Sequence, residues 1–206
     1  MDEDKIINWA TELQSLAQAG LFYGHDKFDF ERYQRIREIS AEMISAKTDL
    51  SFYKVKDLFC GDEGYQTPKI DTRGAIFKDD RILLVREFDG RWTLPGGWCE
   101  FNLSPAENIV KEVKEEAGLD AVAEKIIAFH DMFKHNTPHY IFGVTKIFYL
   151  CTVSGGKFKP NIETVETKYF AEDELPTSLA DEKCTAEQIK LCFKAHRADF
   201  WETVFD

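Results

Sequence analysis

The chain lacks paired cysteine spacings, a run of basic residues and a long apolar run, and each absence removes a class of protein. Its five cysteines, Cys60, Cys99, Cys151, Cys184 and Cys192, are odd in number and never fall in a Cys-x-x-Cys spacing. That argues against a disulfide scaffold and against a zinc ribbon, and for a reducing compartment with the thiols buried or half-buried. The longest apolar stretch, Ile141 to Val153, is broken by Lys146 and small residues. It falls well short of the ~20 residues that span a bilayer. The first five residues, Met1 to Lys5, are acidic where an export signal would be basic, so a cytoplasmic location is expected. No repeat or low-complexity tract interrupts the 206 residues.

Acidic residues outnumber basic ones. With 26 Lys and Arg against 37 Asp and Glu, the formal net charge is -11. A surface this acidic repels a polyphosphate backbone, which argues against extended nucleic-acid binding. A small anionic substrate would need cations to screen it from the protein.

Hydrophobic periodicity divides the chain. Ile6, Trp9, Leu13, Leu16 and Ala17 recur at helical spacing, as do Phe30, Tyr33, Ile36, Ile39 and Met43, and a shorter helix is expected from Leu50 to Phe59. Residues 1–63 therefore read as a helical domain. Its apolar stripes are expected first to make an internal core and then to support a homodimer. After the breaker-rich segment Gly61 to Pro68, strands are expected at Lys69 to Phe77, Ile82 to Glu87, Arg91 to Leu94, Ala121 to His130, Ile141 to Val153 and Lys168 to Ala171. Helices are expected at Pro105 to Ala117 and Ala186 to Ala198. The fold class is α+β: a mixed-sheet domain over 64–206 preceded by a small all-α domain.

One helix carries the chemistry. Ser104 is an N-cap, Pro105 suits the first helical position, Ser104 with Glu107 makes a capping box, and Gly118 ends the helix. Ala106, Ile109, Val110, Val113 and Ala117 project to one face. Glu112, Glu115 and Glu116 fall within an arc of about 100° beside it. Like charges at these spacings repel, and they stand at the helix end where the macrodipole disfavours negative charge. A solvated acidic face is the plain explanation. Hard cations such as Mg2+ or Mn2+, which take oxygen ligands, would reverse that cost. The preceding Pro95-Gly96-Gly97 favours the cation reading, because glycines admit close backbone approach and offer carbonyl oxygens.

These residues resemble the Nudix box, Gly-x5-Glu-x7-Arg-Glu-U-x-Glu-Glu-x-Gly-U, with U a bulky aliphatic residue. Gly97, Glu112, Val113, Glu115, Glu116, Gly118 and Leu119 match in register. Leu103 stands in place of the first motif glutamate and Lys111 in place of the arginine. The likeness extends from about Pro68 to Pro176, and the helical N-terminus with Gln66 to Arg73 resembles Nudix proteins acting on X-linked nucleoside diphosphates. The resemblance implies an α/β/α sandwich and a pyrophosphohydrolase, of CDP-choline or ADP-ribose type, that releases a nucleoside monophosphate and phospho-X. It also implies metal ligation by Glu112 and Glu116, Glu115 as ligand or base, and the Gly96 carbonyl as a further ligand. Lys111 can still place a positive charge beside Glu112, and Glu100 is positioned in sequence to take over part of the lost glutamate's role.

Candidate substrate contacts are Arg73 and Arg86, whose guanidinium forks suit phosphate, Trp98 for base stacking, and Glu163 and Glu166 ahead of a strand. Arg91 is expected to be solvated. His135 and His139 lie in a polar loop, without the further ligands that zinc requires. Two other readings remain open: a catalytically weak nucleotide sensor, supported by Leu103 and Lys111, and an enzyme acting on RNA, opposed by the acidic balance.

Overall fold

The computed structural model describes residues 3–137 and 142–206. It divides into two compact units, one reaching to Pro68 and including Phe142, the other running from Lys69 onward. Among the described residues no helix is long and apolar enough to cross a membrane.

The first unit consists of α1 (Glu3–Tyr23), α2 (Lys27–Ser45) and α3 (Phe52–Phe59). Asp26 and Ser51 cap α2 and α3 by accepting backbone N–H bonds. Its core is small: Ala10, Ala41, Ile44, Val55 and Phe59, with Ile7, Met43, Leu50 and Phe52 packed against them. Gln14 and Gln18 are also buried; Gln14 donates to the Phe59 carbonyl at 3.1 Å and Gln18 to the Gly64 carbonyl at 3.0 Å. The expected core stripe of α1 is corrected in one respect. Ala17 is buried, but Trp9 and Leu16 are 50% and 60% exposed, because the helix packs through its small and amide side chains.

The second unit is a mixed sheet clasped by two helices. Strand β1 (Lys69–Lys78) runs parallel to β5 (Val144–Gly156), which is antiparallel to β4 (Leu119–Asp131). On the other side β1 turns through Asp79 and Asp80, both at positive φ, into β2 (Arg81–Glu87). Asp tolerates the left-handed conformation that a two-residue hairpin demands. Strand β2 pairs with β3 (Trp92–Thr93) and with β6 (Thr164–Phe170). The β6 strand starts earlier than its sequence suggests because Thr164 to Glu166 continue the ladder along β2. Likewise β5 extends to Gly156, which pairs with Leu119. The expected start of that strand, Ile141, lies outside the described residues, as does His139.

Alternation along the strands feeds two cores. Ile76, Leu83, Val85, Ile147 and Tyr149 meet Ile109, Val113 and Ala117 of α4 (Pro105–Ala117). Ala75, Ile82, Leu84, Phe148 and Phe170 meet Ile189, Cys192 and Phe193 of α6 (Ala186–Arg197). The result is a helix–sheet–helix sandwich. A short α5 (Met132–His135) and the two-residue β7 (Val204–Phe205), parallel to β4, complete it. All five cysteines are free, three of them buried.

Helix α4 has the bounds its local signals specify. The Ser104 N–H donates to Glu107 Oε2 at 2.9 Å, and the Glu107 N–H donates to Ser104 Oγ at 3.3 Å. Gly118 takes φ 70°, and a Cβ there would stand 2.5 Å from the Lys157 carbonyl oxygen. Since Ile109 is fully buried under β1 and β2, Ile109→Ala should lower the unfolding free energy by about 2–5 kcal/mol. Urea denaturation reads this, and a loss below about 1 kcal/mol would contradict the packing described.

Candidate active site

The site is built where the loop after β3 passes between β1 and the end of α4. Thr72 N–H donates to the Gly97 carbonyl at 2.9 Å and Gly74 N–H to the Pro95 carbonyl at 2.8 Å, while Cys99 N–H donates to the Ile70 carbonyl. The loop is therefore stitched to β1. Gly96 cannot be replaced without displacement: at φ 142° a Cβ would lie 1.9 Å from the Thr72 oxygen. Asn108 on α4 is buried and ties three pieces together. It donates to Thr72 Oγ1 at 2.9 Å and accepts from the Glu100 N–H at 3.1 Å.

Against this turn stand two of the three glutamates. Glu116 is 6% exposed, and its Oε2 accepts the Gly96 N–H at 2.8 Å. Glu112 faces Gly97, where an added Cβ would sit 3.0 Å from its Oε2. Glu115 points outward, its carboxylate paired with the Lys111 ammonium four residues before it. Lys111 Nζ also lies 3.1 Å from Glu100 Oε1 and 3.6 Å from Glu112 Oε1.

Burial dominates the electrostatics. Desolvation pushes the Glu116 carboxyl up to about 7; Arg73 and the Gly96 N–H oppose this, while Glu112 and Glu87 reinforce it. Desolvation also raises Glu112, with Glu115 and Glu163 adding repulsion against the pull of Lys111 and Arg73. Two acids that share a dry corner and resist ionisation are what a cation would stabilise. The donors are hard oxygens, so the set fits Mg2+ or Mn2+ in chemistry. Among the described residues, however, no three His, Cys, Asp or Glu side chains already converge on one metal-sized point; Glu115 is turned outward to Lys111.

The structure redistributes the other candidates. Arg73 is corrected: it is 4% exposed, with Nη2 and Nε on Asp71 at 2.7 and 3.0 Å and Nη1 on the Leu94 carbonyl at 3.2 Å. A guanidinium engaged on those sides inside the protein is no fork for substrate. Its influence reaches the site as charge, on Glu116 and Glu112. Asp71 also accepts from Lys146 Nζ at 2.8 Å, so one buried acid serves two buried cations. Arg86 and Glu166 pair with each other across β2 and β6 at 2.8 Å, both part-exposed, with Arg86 near the Trp92 ring. Trp98 is 45% exposed on the loop. Glu163 is exposed and near enough to Glu112 to act on its charge. Arg91 is not simply solvated: it grips Glu182 with two nitrogens and Asp89 with a third. His135 stacks on His130 and meets Asp206.

Sequence reasoning missed the turn that closes the end of α4. Asn161 Nδ2 donates to the Glu115 carbonyl at 2.8 Å and Thr164 Oγ1 to the Glu116 carbonyl at 2.7 Å. These carbonyls belong to the last helical turn, which lacks intrahelical partners. No local pattern announces such a pairing. Glu87 and Lys183, paired beside the site, were missed for the same reason. The Asp71–Arg73 pair did leave a signal, since residues two apart on a strand share a face. A cavity of about 1120 Å3 lined by Asp80, Glu172, Leu175, Asp181, Thr185 and Arg197 includes none of these glutamates.

The helix–sheet–helix sandwich with a glutamate helix against a glycine turn defines a class of hydrolase, and comparison with known proteins specifies it. Residues 68–191 match the NUDIX domain family model, and residues 4–59 match a model described as UDP-X-like, N-terminal oligomerisation domain. The chain belongs to the Nudix family of hydrolases. It is 40% identical to YjhB of Bacillus subtilis (strain 168), whose name assigns it provisionally to the ADP-ribose pyrophosphatases, over 99% of this chain and 98% of that protein. Among solved structures, an ADP-ribose pyrophosphatase from Streptococcus suis 89-1591 is 54% identical at TM-score 0.64, covering 68% of this chain and 100% of the other. A UDP-X diphosphatase is 31% identical at TM-score 0.64, covering 99% and 100%.

Burial keeps the Glu116 proton bound in the folded chain to about pH 7, whereas the unfolded chain releases it near the ordinary 4.5. Between those values the folded state binds more protons, so stability should fall as pH rises through this window. Urea denaturation in a chelating buffer should show that fall, and Glu116→Gln should remove most of it. An unchanged slope in the variant would show that Glu116 ionises normally.

Proposed function

We propose that the chain is a divalent-metal-dependent pyrophosphohydrolase of nucleoside diphosphates linked to a second group X, of the ADP-ribose or UDP-X kind. The observation that carries this is the pair of desolvated carboxylates, Glu112 and Glu116, set against the Gly96–Gly97 turn. The relatives named above support the substrate class, and CDP-choline belongs on the same panel.

Glu112 and Glu116 would hold the cations, with the Gly96 carbonyl as a further ligand and Glu115 as either a ligand or the base. Bound Mg2+ or Mn2+ supplies neutralisation of the diphosphate and a more acidic water. The chain's own residues do the positioning. Glu116 is fixed by the Gly96 N–H, and the end of its helix by Asn161 and Thr164. Glu115, the exposed member of the three, is suited to take the proton of the attacking water. Water oxygen bonds to one phosphorus, the bridging P–O bond breaks, and nucleoside monophosphate and phospho-X depart. Trp98, Glu163 and the Arg86–Glu166 pair lie on the elements that would contact the substrate's remaining groups.

Hydrolysis of an ADP-ribose, UDP-sugar and CDP-choline panel in 18O-labelled water, with Mg2+ and with Mn2+, tests the reading. The label identifies the phosphorus attacked. Glu116→Gln should lower turnover by about 100-fold or more while leaving circular dichroism unchanged. Full activity in that variant would refute the assignment, and saturable binding without turnover in the unaltered chain would favour a nucleotide sensor.

The same proposal includes a homodimer through the N-terminal unit. Trp9, Leu16 and Tyr23 are 50%, 60% and 59% exposed, and their spacing of seven places them along one line of α1. A second copy is the occupant that the oligomerisation family model favours. Light scattering should report a dimer for the native chain and a monomer for Leu16→Glu. A monomeric native chain would overturn this part.

A further inference from the structure

The box departs from the Nudix pattern at Leu103 and Lys111, and the geometry around Lys111 shows where the missing interaction has gone. Its ammonium lies 3.1 Å from Glu100 Oε1, on the loop, and 3.6 Å from Glu112 Oε1, on its own helix, and it also pairs with Glu115. One flexible cation thus faces three carboxylates, and only Glu100 lies on the far side, away from the helix. The backbone of Glu100 is held on both sides. Its N–H donates to Asn108 Oδ1 and its carbonyl accepts the Leu103 N–H at 3.1 Å. Leu103, an apolar residue three positions later, offers no side-chain acceptor.

We infer that Glu100 and Lys111 form a loop–helix ion pair that anchors the loop to α4, where the Nudix box would instead carry glutamate at 103 and arginine at 111. In this arrangement Glu100 and Lys111 are positioning residues. Glu100 draws the ammonium toward the loop, which anchors the loop to α4 and limits how far Lys111 competes with a divalent cation for Glu112 and Glu115. A lysine serves here because its single ammonium can be shared among several oxygens, whereas a guanidinium fork is built for one planar partner. With Glu100 neutralised, the loop should loosen and Lys111 should settle on the two helix glutamates. Both effects oppose metal binding. This inference rests on the metal-dependent reading above.

The test uses the full-length protein as Glu100→Gln, and as Glu100→Gln with Leu103→Glu and Lys111→Arg, which restores the family's own pair. Two readouts are taken: hydrogen exchange of loop residues 98–103 in metal-free buffer, and Mn2+ affinity by electron paramagnetic resonance. Glu100→Gln should speed loop exchange several-fold and weaken Mn2+ binding about 10-fold or more. The triple variant should recover both to within about threefold of the native protein, a rescue that general loss of structure would not give. Native-like exchange and affinity in Glu100→Gln, or a triple variant no better than it, overturns the pair. If the native chain binds no Mn2+, the metal-dependent reading fails, while loop exchange still decides the pair.

Discussion

The structure depends most on one buried contact, the Gly96 N–H donating to the Glu116 carboxylate. A carboxylate taken out of water is costly unless neighbours stabilise it, and the surrounding architecture can be understood as meeting that cost in part. Gly96 must occupy a conformation open to glycine so that its amide can reach Glu116. The loop is then held by β1 through Thr72 and Gly74, and the helix end by Asn161 and Thr164. Beneath the turn, Arg73 and Lys146 share Asp71. Of these charges Arg73 is the one that acts on Glu116. Its pull offsets some of the desolvation and leaves the rest, so the carboxyl stays raised. A fully compensated glutamate would have little affinity left for a cation.

How much of this was legible in the sequence follows from how local each determinant is. Helix α4 is specified by residues within its own length, Ser104, Pro105, Glu107 and Gly118, and the structure keeps those bounds. The glycine turn and the glutamate register were legible for the same reason. The partners of that helix come from 36 to 48 residues away: Thr72 to Asn108, Asn161 to Glu115 and Thr164 to Glu116. Such pairings depend on topology, which local pattern does not encode. Arg73 shows a third case. Its residue type suits phosphate, but β1 is buried on both faces from Asp71 to Ile76, and pairing with Asp71 holds the guanidinium inside.

In the N-terminal unit the same helical periodicity allowed either assignment of faces. A 3.6-residue repeat marks that a helix has an apolar side; it does not say which partner covers it. Along α1 the small residues Ala10 and Ala17, with the two glutamines, turn to α2 and α3, and the larger Trp9 and Leu16 turn away. Close packing through small side chains brings helix backbones together, and amides satisfied by the Phe59 and Gly64 carbonyls make that interior specific. Trp9 and Leu16 are thereby left as a surface, while Ile7 packs on the core.

The two departures from the box motif form one coherent change and not two separate losses. Lysine concentrates its charge at one movable point, which three carboxylates at different distances can share. A leucine at 103 needs no charged partner. The loop keeps its shape because Asn108 holds the Glu100 amide and because the Leu103 N–H closes on the Glu100 carbonyl. The physical task, one positive charge joining loop to helix beside the metal-ligand candidates, is retained while the acid that anchors it moves three residues earlier.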